Sequence, residues 1–194
     1  MFNGIIYKTG TILKIDKSTN FSEVTIKINY SFKKSEIGSS ICCNGTCLTI
    51  TKIENNCISF YLSKETLNRT NFNMSKIGDI INIEKSLNYG NKVSGHYVQG
   101  HIDTTGIVSG IKIVDKSWII SFKISKLYKK FLIEKGSISI NGVSLTISRI
   151  TKNTFQISII PHTLKLTNLI KLKKKNLVNI EFDIFSKYLI NLKK

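Results

Sequence analysis

The chain has 194 residues, 41% of them hydrophobic, with one Pro and 12 Gly, a composition that suits two folded domains of about 100 residues each and excludes a disordered or collagen-like chain. Its 29 basic and 12 acidic residues give a net charge of +17, but 27 of the basic residues are Lys and only Arg69 and Arg149 offer the fork that grips phosphate and guanine. The absence of Ala and the excess of Ile, Lys and Asn trace the charge to AT-rich codons rather than to a nucleic-acid partner, and no apolar run approaches the roughly 20 residues that span a bilayer.

At the N-terminus, MFNGIIYKTGTILKI has no basic region ahead of a long apolar stretch and no small-residue cleavage site, so a cytoplasmic protein without a secretory signal is expected. SEVTIKINY, CLTITKI and CISFYL alternate apolar with polar side chains and are predicted strands, turning at Asn55-Asn56. Cys42, Cys43, Cys47 and Cys57 lie in this stretch without a C-x-x-C pair, so reduced thiols are expected rather than a zinc site or a disulfide. SKETLNRT, with Ser63 three residues ahead of Thr66, predicts a short turn of helix. The run Asn88-Tyr89-Gly90-Asn91-Lys92-Val93-Ser94-Gly95 is a linker. In GHYVQGH, His96 and His101 stand an odd number of residues apart, which on a strand turns the rings to opposite faces and disfavours a shared metal. His96 therefore reads as structural. WIISFKI, SLTISRI and TFQISII are strands again, turning at Lys152-Asn153. SKLYKKFLIEKG (Ser125 to Gly136) predicts a second helical stretch through Leu127, Phe131 and Leu132. Ile184 to Lys194, with Ile184, Phe185, Tyr188, Leu189 and Leu192 at helical spacing, predicts a C-terminal helix.

The chain is written twice. NGTCLTI (Asn44 to Ile50) lies over NGVSLTI (Asn141 to Ile147) at a shift of 97, and the shift continues to match Ile53 with Ile150, Asn56 with Asn153, Thr66-Leu67 with Thr163-Leu164, Thr70-Asn71 with Thr167-Asn168, and Asn82-Ile83-Glu84 with Asn179-Ile180-Glu181. With one residue of slip, Gly4 to Ile12 lies over Gly100 to Val108. About six short strands per copy predict an all-β chain of two antiparallel barrels, since closure removes exposed edges. The expected boundaries are 1–96 and 97–185 for the barrels and 186–194 for a short helix.

Chemistry is sought where the repeat sets residues in equivalent places. Three such places recur: Gly4-Ile5-Ile6 with Gly100-His101-Ile102, Cys47-Leu48-Thr49 with Ser144-Leu145-Thr146, and Tyr61-Leu62-Ser63-Lys64-Glu65-Thr66 with Ser158-Ile159-Ile160-Pro161-His162-Thr163. Small and hydroxyl side chains with accessible amides suit a flat heteroaromatic ring with an amide edge and a polyol tail. The Gly, Leu and Ile positions read equally well as turn and packing residues. His101 breaks the symmetry by standing opposite Ile5, which makes it a candidate for proton transfer. Asp183 and Lys135 also have no like residue in the first copy.

Taken in order, MFNGII, NGTCLTI, KETLNRTN, GHYVQGHID, KGSISINGVSLTI and VNIEFD resemble the riboflavin synthase family, α-chain type, over about residues 1 to 185. The resemblance implies two Greek-key barrels and a transferase that dismutates two molecules of 6,7-dimethyl-8-ribityllumazine into riboflavin and 5-amino-6-(ribitylamino)uracil, without cofactor or metal. It implies a cytoplasmic homotrimer whose reacting pair meets between subunits, with lumazine synthase as a further partner and neither nucleic acid nor membrane. By the same resemblance, Ser144 and Thr146 contact substrate in the C-terminal site and Cys47 and Thr49 do so in the N-terminal site. His101 is the expected proton carrier, Phe2 orders the N-terminal strand over the site, Lys135 lies near substrate, and Asp183 matches a functional acid. Two departures stand out: His162 replaces the family's usual Glu, matched by Glu65 in the first copy, and only about ten residues follow Asp183 to form the trimer helix. The rival readings are a non-catalytic, antenna-type relative of the same fold and a basic barrel that binds single-stranded nucleic acid.

Overall fold

The computed structural model describes residues 1–152 and 154–192; the predicted turn residue Asn153, its match to Asn56, and the last two positions of the predicted C-terminal helix lie outside the described residues. The period-2 pattern in each copy makes strands with one buried face. In the first copy these are β1 (Lys8–Lys17), β2 (Phe21–Ile28), β3 (Ser40–Cys43), β4 (Thr46–Glu54), β5 (Cys57–Ser63) and β6 (Ile80–Lys85). They close into an antiparallel barrel in the order β1-β2-β5-β4-β3-β6. In β2, Val24, Ile26 and Ile28 point inward and are fully buried, while Glu23 and Lys27 face water.

The second copy repeats this with β7 (Thr104–Val114), β8 (Ser117–Lys123), β9 (Ser137–Ile140), β10 (Val143–Ile150), β11 (Phe155–Ile159) and β12 (Leu177–Phe182), closed in the same cyclic order. Even the irregularities repeat. β1 shifts register between Ile12 and Lys14 and β7 between Val108 and Gly110; β4 shifts between Ile50 and Lys52 and β10 between Ile147 and Arg149. Each barrel has its own apolar interior, around Ile26, Phe60 and Ile83 in the first and around Phe122, Phe155 and Ile180 in the second.

Three short helices follow strands. α1 (Lys64–Arg69) is capped by Ser63, whose Oγ accepts the Thr66 N–H at 3.2 Å, as the Ser-to-Thr66 spacing predicts. α2 (Pro161–Leu166) starts on a Pro with no side-chain cap. α3 (Ile184–Asn191) begins at Ile184, where the helical spacing sets it and two residues ahead of the expected boundary at 186, because Asp183 Oδ1 accepts the Phe185 N–H at 2.9 Å and starts the helix there. The stretch Ser125 to Gly136 departs from expectation: it forms a 3-10 turn at Lys126–Phe131. Leu127 is exposed while Tyr128, Phe131 and Leu132 pack inward, and Lys135 adopts φ 67, so no α-period face develops.

The barrels meet around a local two-fold axis. The hairpin turns Asn44-Gly45 and Asn141-Gly142 take left-handed φ values of 47 and 82, and 48 and 80. They stand back to back so tightly that a Cβ on Gly45 would lie 2.7 Å from the Gly142 nitrogen. Asparagines weld the seam: Asn82 Nδ2 donates to Asn141 O at 2.9 Å, and Asn179 Nδ2 donates to Asn44 O at 2.8 Å. The Asn71 and Asn168 N–H groups donate to Asn179 Oδ1 and Asn82 Oδ1, each at 2.7 Å. Burying the Asn82 and Asn179 side chains is tolerable because both ends of each amide find a partner across the axis.

Candidate functional site: crossed segments at two splayed strand pairs

The pairing of β4 with β5 runs from Glu54↔Cys57 to Ile50↔Phe60 and ends there. The same register would set Cys47-Leu48-Thr49 beside Tyr61-Leu62-Ser63, but the two strands have parted. In the second barrel the β10–β11 pairing ends at Ile147↔Ile157, so Ser144-Leu145-Thr146 parts likewise from Ser158-Ile159-Ile160. Alternation along an antiparallel ladder turns the backbone of Cys47 and Thr49, and of Ser144 and Thr146, away from β3 and β9 and into these gaps. Two of the three repeated segments therefore line each gap, with main-chain donors and acceptors open to a ligand.

The third segment comes from the other half of the chain. Gly4 O accepts the Ser144 N–H at 2.8 Å, and Gly100 O accepts the Cys47 N–H at 2.8 Å. Thus Gly4-Ile5-Ile6, which precede barrel 1, run beside the gap of barrel 2, and Ile6 is buried in the interior of that second barrel. Conversely, Gly100-His101-Ile102 runs beside the gap of barrel 1. Contact is close in both places: a Cβ on Gly4 would lie 2.6 Å from Ser144 Cβ, and one on Gly100 would lie 2.6 Å from Cys47 Cβ. Both glycines also hold positive φ, 73 and 81. The segments bridge each other where Phe2 and Val98 exchange N–H···O bonds of 2.8 and 3.2 Å. Both side chains are fully buried, against Cys42 and beside Cys47. Phe2 thus orders its segment from beneath, sealed from solvent.

A carboxylate anchors each segment. Glu84 on β6 accepts the Asn3 and Gly4 N–H groups at 2.7 and 2.9 Å, and Glu181 on β12 accepts those of Gln99 and Gly100 at 2.8 and 2.9 Å. Burial pushes both carboxyls up to about 7, against the downward pull of the donated N–H groups. Neither residue was singled out for chemistry from sequence, although the N-I-E repeat that contains them was visible.

The two histidines sit in different surroundings. His96, read as structural, places Nδ1 2.7 Å from Ser144 Oγ and is nearly buried. Burial lowers its pKa, with the Asp183 carboxylate pulling the other way, and Nε2 has no partner among the described residues. Asn3 fixes the approach, its Oδ1 accepting the Ser94 and Gly95 N–H groups at 2.8 Å each. His101 is exposed and follows the Gly100 that contacts Cys47. Within one chain it therefore stands on the barrel-1 side, and it is not brought to Ser144. The signal for His96 was its place just ahead of the crossing strand, but a strand reading of GHYVQGH hides this, because only Val98 forms a bridge there.

The remaining candidates sort by exposure. Leu48, Leu62, Ile6 and Ile159 send their side chains into barrel interiors, so none of these side chains reaches a gap. Tyr61, Lys64, Glu65, Thr49, Ile160, Pro161 and His162 form exposed rims. Glu65 pairs with Arg69 Nε at 2.7 Å on the outside of α1. Lys135, in the left-handed position that Gly38 fills in the first copy, is exposed at the turn whose N–H donates to Ile147 O at 2.8 Å. A groove of about 680 Å³ runs along the local axis past Asn71 and Asn168 and shares no residue with the crossed segments. Among the described residues no cluster of His, Cys, Asp and Glu is arranged to hold a metal, and no helix is long and apolar enough to cross a membrane.

Comparison with known proteins agrees with this twofold plan. The model of the lumazine binding domain matches residues 3–86 and again residues 99–183. Riboflavin synthase of Buchnera aphidicola subsp. Schizaphis graminum is 39% identical over 196 residues, covering 100% of this chain and 94% of that protein. The Escherichia coli enzyme is 38% identical over 185 residues, covering 94% of this chain and 87% of its own. The crystal structure of LumP complexed with riboflavin superposes with a TM-score of 0.84 at 27% identity, covering 94% of this chain and 99% of that one. Over nearly its whole length, in sequence as in its doubled barrel, the chain belongs to the riboflavin synthase family.

Proposed function

We propose that each gap between splayed strands holds one 6,7-dimethyl-8-ribityllumazine and that the chain transfers a four-carbon unit from one such molecule to another, giving riboflavin and 5-amino-6-(ribitylamino)uracil. The observation that carries this reading is the pair of equivalent cradles, each with free main-chain groups for a ring edge and hydroxyl side chains for a polyol tail. Thr49, Ser63 and Thr66 serve the first; Ser144, Thr146, Ser158 and Thr163 serve the second. One substrate type acting as both donor and acceptor calls for two like cradles. LumP has been crystallised with the same lumazine, and its fold superposes with a TM-score of 0.81 at 27% identity.

The C7 methyl of the lumazine is acidic because its carbanion delocalises into the ring, so a neutral imidazole or a polarised hydroxyl suffices to move the proton. Burial keeps His96 neutral, and its 2.7 Å contact makes Ser144 and His96 the proton-handling pair of the second cradle. His101 and Cys47 take the corresponding place in the first. Asp183 acts on His96 by its charge while starting α3, and Lys135 offers a cation at the rim of the second barrel. Holding two rings face to face supplies the remainder by proximity and orientation. The rims are exposed, and α3 presents Phe185, Tyr188 and Leu189 to solvent, with Leu192 just past its end, which supports assembly into a trimer that brings cradles of neighbouring subunits together.

The test is incubation of the purified protein with the lumazine alone. One riboflavin and one diaminouracil should form for every two molecules consumed, with no added cofactor. Tight, lasting binding of lumazine without riboflavin would instead identify an antenna-type protein.

A further inference from the structure

The geometry points to Glu84 and Glu181 as crossed positioning residues: each stands on one barrel and sets the ligand cradle of the other. Glu84 belongs to β6 of barrel 1, yet the Asn3 and Gly4 N–H groups it holds at 2.7 and 2.9 Å belong to the segment whose Gly4 carbonyl takes the Ser144 N–H of barrel 2. Glu181 belongs to β12 of barrel 2, and through Gln99 and Gly100 it sets the carbonyl that takes the Cys47 N–H of barrel 1.

Both carboxylates are buried, with 8% and 2% of their surfaces exposed, and each uses both oxygens on consecutive backbone amides. Two hydrogen bonds from consecutive amides to the two oxygens of one side chain fix direction as well as distance. They replace the strand pairing that the crossing segments lack, since among the described residues Phe2↔Val98 is the one bridge they make to each other. The consequence reaches the ligand because Gly4 and Gly100 have no side chain to hold them in register, and their carbonyls end at the mouths of the gaps. Each bond line runs from a carboxylate through two amides and a glycine to a strand of the opposite barrel. Neither glutamate touches the ligand; each acts through the segment it holds.

This inference rests on the reading of the gaps as lumazine cradles, and its test separates the two. Amide hydrogen exchange at Ser144 and Cys47 is measured for the full chain and for E84Q and E181Q, with and without riboflavin as the probe. E84Q is expected to speed exchange at Ser144 about tenfold while leaving Cys47 unchanged, and to weaken riboflavin protection at Ser144 by a similar factor. E181Q is expected to do the reverse, so either variant suffices if the other fails to fold. Uniform acceleration at both amides, or a change confined to the variant's own barrel, would overturn the crossed arrangement. If riboflavin protects neither amide in the unmodified chain, the cradle reading fails, and the exchange rates still decide the crossing.

Discussion

The two barrels differ far less in how they are built than in what they show to their gaps. Strand order, register shifts, hairpin turns and buried carboxylates are matched one for one. At the gaps the match breaks down. Barrel 1 offers the Cys47 thiol, which makes no side-chain hydrogen bond among the described residues, whereas barrel 2 offers Ser144 bonded to His96. Barrel 1 opens α1 with the Ser63 cap and carries Glu65, whereas barrel 2 opens α2 with Ile160-Pro161 and carries His162. The packing constraints of a closed barrel act on both copies alike, so buried positions that differ, such as Ile58 and Phe60 against Phe155 and Ile157, trade one apolar side chain for another, whereas the gaps differ in polar chemistry. The better connected gap is the second, through the contact between His96 and Ser144.

The largest expected effect tests the local axis itself. Phe2→Ala should cost about 3–5 kcal/mol, and Val98→Ala, at the equivalent place, about 2 kcal/mol, both read from urea midpoints. Equal losses would mean that the axis is packed evenly. Next comes pH. Glu84 and Glu181 ionise at about 7 in the fold against 4.5 in the open chain, so folding takes up protons between those values. Their contribution is full below 4.5 and is lost as pH rises through about 7, by up to about 3 kcal/mol each. Lys187 and the Met1 amino group oppose this rise and Asp103 adds to it, while His96, lowered from 6.5, loses its contribution as pH falls. The clean measurement is therefore the difference between the stability curves of the wild type and E84Q, which should remove one of the two steps.

Turnover sharpens the comparison of the gaps. Ser144→Ala should lower riboflavin formation by about 100-fold, and Cys47→Ala should lower it less, at little cost to thermal stability in either case. Equal losses in steady-state assays would erase the functional distinction between barrels. The smallest effect concerns the helix starts. Ser63→Ala should cost about 1 kcal/mol, while Ile160→Ser should restore a cap and recover a similar amount, both seen as shifts in melting temperature.

The strands were legible because a half-buried sheet imposes a period of two, and the doubled architecture because NGTCLTI and NGVSLTI preserve the same hairpin. What the sequence hid was the exchange of segments. Gly4-Ile5-Ile6 precedes β1, and nothing in its composition says that Ile6 is buried in the other barrel; that depends on a contact 140 residues away, between Gly4 and Ser144. His96 was hidden for the same reason, since its partner is set by the crossing and not by spacing within GHYVQGH. Glu84 and Glu181 looked like ordinary charged ends of strands, and only the structure shows that they face inward to backbone amides.

Because each cradle borrows a wall from the opposite half, the two copies are not free to evolve as spare parts. On the crossed arrangement, a substitution at Glu84 is expected to change selection on the surroundings of Ser144, not on those of Cys47. Among relatives, covariation should therefore link the start of each repeat to the middle of the other, tying the duplicated gene into a single inheritance.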